Sequence, residues 1–263
     1  MSWPRIRRGS LPIAVLAMGL VLCAAACSGE LEVTVTSSPD PTATPSPTPT
    51  PTATPELTAD DVVSGAIERL TVMSSAIFDM VDESESGAEF FGTTFKSMEA
   101  EIASPDSFRM LVSVVAPGLG FVKIEMLGVG DQAFMKFSED APWTPLPADQ
   151  VPFNFRGVGA TLSDIFAKLT DAVIAGREDI EGTATIRIDG SIVSEDMTSL
   201  ITEADPGHAI TLSLWLDEAD YTLEQMRIAG RLYDDDGPET NRLLTFSIDA
   251  PVDIQLPDIA SGP

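Results

Sequence analysis

Residues Ser97–Phe137 read SMEAEIASPDSFRMLVSVVAPGLGFVKIEMLGVGDQAFMKF, and nearly every second position is apolar. Met98, Ala100 and Ile102 alternate with Ser97, Glu99 and Glu101. After Ser104-Pro105-Asp106, the alternation resumes with Phe108, Met110, Val112 and Val114. After Pro117-Gly118, Val122, Ile124 and Met126 oppose Lys123 and Glu125. After Gly130-Asp131, Ala133, Met135 and Phe137 oppose Lys136. A period of two sends successive side chains to opposite faces of a strand, and the Pro/Gly/Asp breaks are turn chemistry. The stretch predicts an antiparallel meander with one apolar and one solvated face.

The pattern extends outward on both sides. Upstream, Ala76, Phe78 and Met80 alternate with Ile77, Asp79 and Val81. A helix precedes them: Thr58 can cap it, Asp60 and Asp61 suit its positive end, and Val62, Val63, Ala66, Ile67 and Leu70 recur at helical spacing. Downstream, Ala141–Pro152 is a Pro-rich crossing around Trp143 with no expected element of its own. Leu162, Ile165, Phe166 and Leu169 mark a second helix. Strands are expected at 173–180, 183–193, 209–216, 222–231 and 241–249, with Ser194 capping a short helix over Asp196–Ile201. The order predicts an α+β fold: one large curved antiparallel sheet with helices gathered on its concave, apolar face.

The N-terminus reads as an address. Arg5, Arg7 and Arg8 precede an apolar run from Leu11 to Cys23, and Ala24-Ala25-Ala26 lead directly into Cys27. A short apolar run that ends in small residues is a secretory signal rather than a membrane span. A cysteine placed immediately after them is the bacterial lipobox pattern, so residues 1–26 are expected to be removed and Cys27 to be acylated, with palmitate-type chains. Two or more chains make a stable anchor where one does not. The expected location is the outer face of the cytoplasmic membrane. Residues 39–55 (PDPTATPSPTPTPTATP) favour extended polyproline II. Residues 27–56 therefore read as lipidated cysteine plus tether, 57–257 as the folded domain and 258–263 as a tail.

Charge and cysteine usage exclude several functions. The chain has 15 basic and 41 acidic residues; without Arg5, Arg7 and Arg8 the balance is 12 against 41, a formal charge of −29. Such a surface repels phosphate backbones, so no nucleic-acid partner is expected. Both cysteines, Cys23 and Cys27, lie in the signal region, which leaves the domain no disulfide, thiol nucleophile or thiolate metal site.

The stretch Asp171–Ile201 (DAVIAGREDIEGTATIRIDGSIVSEDMTSLI) resembles the middle of the LppX/LprAFG lipoproteins of mycobacteria. So does the hairpin from Ile210 to Gly230, with Trp215 on its first strand and Leu223 on its second. Lipobox, tether, opening helix and the Trp143 segment follow the same order, and the resemblance covers about residues 57–257. It implies a half-barrel sheet similar to the periplasmic lipoprotein carriers, closed by helices over a large apolar cavity. It also implies binding of an acylated lipid or glycolipid, carriage between membrane and outer envelope, and a lipid exporter or envelope acceptor as partner.

The expected concave face gives the candidate lining residues: Phe78, Met80, Met98, Phe108, Met110, Val112, Ile124, Met126, Met135, Phe137, Phe166 and Met226. Methionine is flexible and polarisable and suits chains of varied shape, although each of these residues also reads as ordinary core. Enzymatic signals are weak. His208, the sole histidine, sits beside Pro206-Gly207 in a turn. Asp234-Asp235-Asp236-Gly237 lacks EF-hand spacing and reads as a hairpin tip. No carboxylate pair stands out, and phosphate-loop and serine-elbow motifs are absent. No catalytic residue, metal or cofactor is expected. The alternative reading is a tethered structural or signalling module of the same fold that binds a protein partner.

Overall fold

The computed structural model describes residues 56–84, 88–90, 92–147 and 150–257. The signal segment, Cys27, the tether through residue 55 and residues 258–263 lie outside the described residues.

The domain opens with α1 (Ala59–Thr71). Thr58 accepts from the Asp61 N–H at 3.2 Å, and Asp61 accepts in return from the Thr58 N–H at 3.1 Å. This reciprocal cap satisfies two otherwise orphaned donors and contributes about 1 kcal/mol. Val62, Val63, Ala66 and Leu70 form the buried stripe, as the helical spacing requires.

Seven strands follow: β1 (Ser75–Asp82), β2 (Glu89–Phe90), β3 (Thr93–Ala103), β4 (Ser107–Ala116), β5 (Gly120–Val129), β6 (Gln132–Lys136) and β7 (Thr144–Leu146). After α2 (Val158–Phe166) come β8 (Thr170–Ile180), β9 (Thr183–Val193), β10 (Ala209–Asp217), β11 (Leu223–Ala229) and β12 (Asn241–Ile248). All twelve belong to one antiparallel sheet, ordered β7-β6-β5-β4-β3-β1-β12-β11-β10-β9-β8, with β2 paired to β3. Two meanders, one from each half of the chain, are thus joined where the first and last strands pair, as Met80 against Leu244 and Phe78 against Phe246.

The expected phase holds through the centre of the sheet. Ala76, Phe78, Met80, Met98, Ala100, Ile102, Phe108, Met110, Val112 and Val114 are all buried on the inner face, in one core with the buried sides of α1 and α2. The helices meet at Gly159: a Cβ there would stand 2.1 Å from the Leu70 carbonyl oxygen, so only glycine permits the approach.

Several details depart from the sequence reading. The second helix starts at Val158, four residues before Leu162, behind Gly157 in a left-handed conformation (φ 58°), and ends at Phe166. The Ala141–Pro152 crossing carries β7, whose Pro145 is tolerated because β7 is an edge strand. The short helix expected over Asp196–Ile201 is a single 3-10 turn, Ser194–Met197; the Ser194 hydroxyl accepts instead from the His208 N–H at 3.1 Å. The outer face is not wholly solvated. Leu127 and Phe134 face each other across β5 and β6 with 1% and 8% exposure. Trp215 is 3% exposed there, donating from Nε1 to Glu178 at 2.9 Å with the Arg227 guanidinium 4.9 Å from its ring.

Candidate functional site

Shortly before α2 in the chain comes the segment Val151–Phe155, whose sequence VPFNF is itself alternating. Val151, Phe153 and Phe155 are buried. An antiparallel bridge between Phe153 and Ile201 holds the segment to residues 200–202 through two main-chain bonds: the Asn154 N–H donates to the Leu200 carbonyl at 2.8 Å and the Thr202 N–H to the Pro152 carbonyl at 3.2 Å. The segment therefore forms a strap across the inner face.

The strap separates two spaces. On one side lies an open cleft of about 510 Å³, lined by Asp106, Phe108, Gly130–Ala133, Asn154, Arg156 and residues of the 198–202 turn. On the other lies a hollow lined only by apolar residues, among them Phe78, Met80, Met98, Met226, Leu244 and Phe246. Its free volume is about 40 Å³, well under the roughly 300–1,000 Å³ of a small-molecule pocket. Phe153 and Phe155 line both spaces.

Aromatic contacts tie this partition to the sheet. The Phe155 ring centroid is 5.1 Å from Phe108, 5.6 Å from Phe153 and 6.3 Å from Phe78, and Phe153 is 6.0 Å from Phe90. The Phe108 ring lies over Gly128, its register partner, where a Cβ would meet it at 2.3 Å. Glycine at 128 leaves the space that this cleft-lining ring occupies. The mouth is polar. Arg156 donates to the Gly130 carbonyl at 2.8 Å and to Asp131 at 2.7 Å.

A third space of about 20 Å³ adjoins the apolar hollow, sharing Met80, Phe153, Ile201 and Ile228 with it. Its polar end is built by Arg242 and Tyr233. Arg242 Nη2 donates to Asp236 Oδ1 at 2.7 Å, with side-chain exposures of 3% and 0%. Asp236 also accepts from the N–H groups of Glu89, Leu232 and Tyr233 at 2.7, 2.8 and 3.2 Å. Burial pushes the Tyr233 phenol up to about 12, against the opposing pull of Arg242, so the hydroxyl stays protonated. Burial also pushes Asp82 upward, but hydrogen bonds from Ser84 and Ala88, together with the Arg242 charge, outweigh it and hold that carboxyl low.

The structure disperses the candidate residues named from sequence. Phe78, Met80, Met98 and Met226 line the apolar hollow, and Phe108 lines the cleft. Met110, Val112, Met126 and Phe166 are buried in the packed core and line none of these spaces; Ile124 and Met135 pack half-buried against it. Phe137 is a correction: it lies one residue beyond β6 and is 60% exposed, because the strand ends at Lys136 and alternation ceases to apply. Cys27 lies outside the described residues.

Sequence reasoning missed Phe153, Phe155 and the Arg242–Asp236 pair. The VPFNF alternation was a usable signal for the first two, while nothing in DDDG distinguishes the one aspartate that turns inward. His208, read from the sequence as a turn residue, lies 3.0 Å from Asp234. Among the described residues no group of histidine, cysteine and acidic side chains is arranged to hold a metal ion, and no helix is long and apolar enough to cross a membrane.

Comparison with protein families matches residues 95–250 to the LppX_LprAFG lipoproteins. The chain belongs to the LppX/LprAFG lipoprotein family. Among solved structures, LprF from Mycobacterium bovis is similar to it with a TM-score of 0.59 at 18% identity, covering 77% of this chain and 97% of LprF. Lipoprotein LppX from Mycobacterium tuberculosis is similar with a TM-score of 0.50 at 16% identity, covering 75% and 98%. At these identities the likeness is one of fold, a large curved antiparallel sheet with helices on one face. Comparison with curated proteins finds no match. The LppX/LprAFG match runs from within β3 through β12 and so contains the strap and the residues that line the cleft, while β1 and β2 supply further walls of the other two spaces.

Proposed function

We propose that this protein is a membrane-anchored extracytoplasmic lipoprotein that takes acylated lipid or glycolipid between its sheet and helices. It would help carry that lipid between membrane and outer envelope. The observation that carries the reading is the two-aromatic strap. Phe153 and Phe155 line both a cleft of about 510 Å³ and a hollow walled entirely by apolar side chains. The cleft is within the size range of ligand pockets. The hollow, at about 40 Å³, admits a hydrocarbon chain only once the strap swings aside.

The energetics permit that opening. A palmitoyl-length chain gains roughly 0.8 kcal/mol per buried CH₂, on the order of 12 kcal/mol before ordering costs. Swinging the strap aside breaks aromatic pairs and hydrogen bonds worth about 0.5–1.5 kcal/mol each and uncovers two phenylalanines at about 1.5–3 kcal/mol each, a cost of the same order that the chain offsets by taking their place against the apolar walls. Carriage of this kind needs a dry groove and a mouth, with no catalytic group. Acylation at Cys27 would hold the domain at the membrane despite its acidity, and the polyproline stretch would supply reach.

The test is lipid extraction and mass spectrometry on the full chain bearing Cys27→Ser, secreted and purified without detergent. Acyl lipid at near-equimolar ratio is the expected result. Repeated recovery of lipid-free protein that also fails to take up a neutral hydrophobic dye refutes the carrier reading. The narrowness of the hollow would then favour a tethered module that binds a protein partner.

A further inference from the structure

The three spaces lie in file along the strands. The cleft is at the Ser75 end of β1, next to the Asp106 turn; the apolar hollow spans Ala76 to Met80; Arg242 stands opposite Asp82 at the far end. About 20 Å of strand separates the two ends. Arg242 is 3% exposed, and only part of its hydrogen-bonding capacity is used: Nη2 is held by Asp236, while Nη1 is buried with no acceptor. A buried donor left unsatisfied is costly, and more so on a charged group. The Asp236 carboxylate cannot supply the second acceptor, since its two oxygens already take Nη2 and three backbone N–H groups.

The geometry points to Arg242 as an internal polar anchor that takes a neutral oxygen of the bound lipid, an ester carbonyl or a hydroxyl, at the closed end of the hollow. This rests on the carrier reading and deepens it. Two observations define the chemistry. The adjoining space of about 20 Å³ suits a single water-sized group, such as a carbonyl oxygen, and is too small for a sugar or a phosphate. The charge there is already matched by Asp236, and Glu89 lines the same space. A carboxylate or phosphate would add a further negative charge with no free partner, so a neutral acceptor is favoured over an anionic one. Tyr233, whose ring lies 5.8 Å from the Arg242 guanidinium carbon, offers a protonated hydroxyl in the same space. The hollow would then distinguish esterified or hydroxylated chains from plain hydrocarbon, which apolar walls alone cannot do.

The test is displacement of the neutral dye N-phenyl-1-naphthylamine from the full chain bearing Cys27→Ser by octadecane, methyl stearate and stearate at pH 8. Methyl stearate is expected to compete about tenfold more tightly than octadecane, the worth of one hydrogen bond to a charged donor, and stearate more weakly than its ester. Arg242→Lys keeps the charge opposite Asp236 but removes the second donor arm, and should bring methyl stearate to the level of octadecane. Equal competition by all three ligands overturns the anchor while leaving the carrier reading intact; the space then holds water. Tighter binding of stearate than of its ester overturns the neutral-acceptor assignment. Failure of the dye and every ligand to bind overturns both. If Arg242→Lys does not fold, the ranking of the three ligands on the unaltered domain still decides.

Discussion

Phe153 and Phe155 sit two residues apart on one strap, with ring centroids 5.6 Å apart, and each faces the open cleft on one side and the apolar hollow on the other. Asn154, between them, is fixed to the opposite turn through its N–H on Leu200 and its side-chain amide on Ser199 at 3.2 Å. The partition is thus two side chains thick at most and is tied down by few bonds.

Phe155→Ala should join the two spaces. Dye uptake is expected to rise several-fold, while urea unfolding shows a loss of about 3–5 kcal/mol, the usual cost of truncating a buried phenylalanine. Lower uptake by a variant that remains folded would mean that the ring forms part of the binding surface and is no barrier.

Filling the hollow should act in the opposite direction. Met226→Trp enlarges a fully buried side chain that lines it and is expected to cut lipid load at least threefold, with an overpacking cost of about 1–3 kcal/mol. Phe137→Trp changes an exposed ring outside the sheet and should leave both load and stability within about 0.5 kcal/mol of the parent. Comparing lipid per protein in the two variants separates the inner face from the edge.

Gly159→Ala tests the contact between the helices. The new Cβ would meet a backbone oxygen, which cannot rotate away as a side chain could, so α2 must shift against α1. A loss of about 1–3 kcal/mol or more is expected in chemical denaturation. Because α2 covers the hollow through Val158 and Leu162, altered dye uptake should accompany it.

Acid sensitivity should track Asp249, which joins the end of β12 to the start of β1. The Ser74 N–H donates to its Oδ1 at 2.9 Å and the Ser74 hydroxyl at 3.0 Å. The backbone hydrogen bond from Ser74 leads, outweighing burial, with the hydroxyl and Arg69 adding to it, and together they hold the carboxyl below its ordinary value. A carboxyl depressed in the folded state stabilises above its unfolded pKa of about 4, and that stability is lost as pH falls through the folded value. Asp249→Asn tolerates the same left-handed backbone (φ 55°). The variant should melt lower than the parent at pH 7, and the difference should shrink as the pH drops below about 4. A melting difference that stays constant across this range would sink the assignment.

Sequence alternation was a faithful guide wherever strands run long and one face is covered, because a slip by one residue would turn every apolar side chain outward. Met80, Met98 and Met110 could be placed for that reason. Alternation failed at Phe137, where the strand has already ended, and at Leu127 and Phe134, which find each other on the outer face. It could not tell Met98, which lines the hollow, from Met110, which lies in solid core: both have the same parity, and only the position of the helices and strap above them decides.

What the sequence determined by itself was the sheet, its inner face and the opening helix, which follow from local periodicity, capping and turn chemistry, and the likeness to a lipoprotein family, which rests on the stretches Asp171–Ile201 and Ile210–Gly230. What only the tertiary structure decided was where space remains and what borders it. Phe153 meets Ile201, and Arg242 meets Asp236 within a hairpin whose aspartates look alike in one dimension. Burial of one carboxylate out of three is set by the sheet folding over it, since an ion pair withdrawn from water persists only where the surrounding backbone supplies its remaining hydrogen bonds.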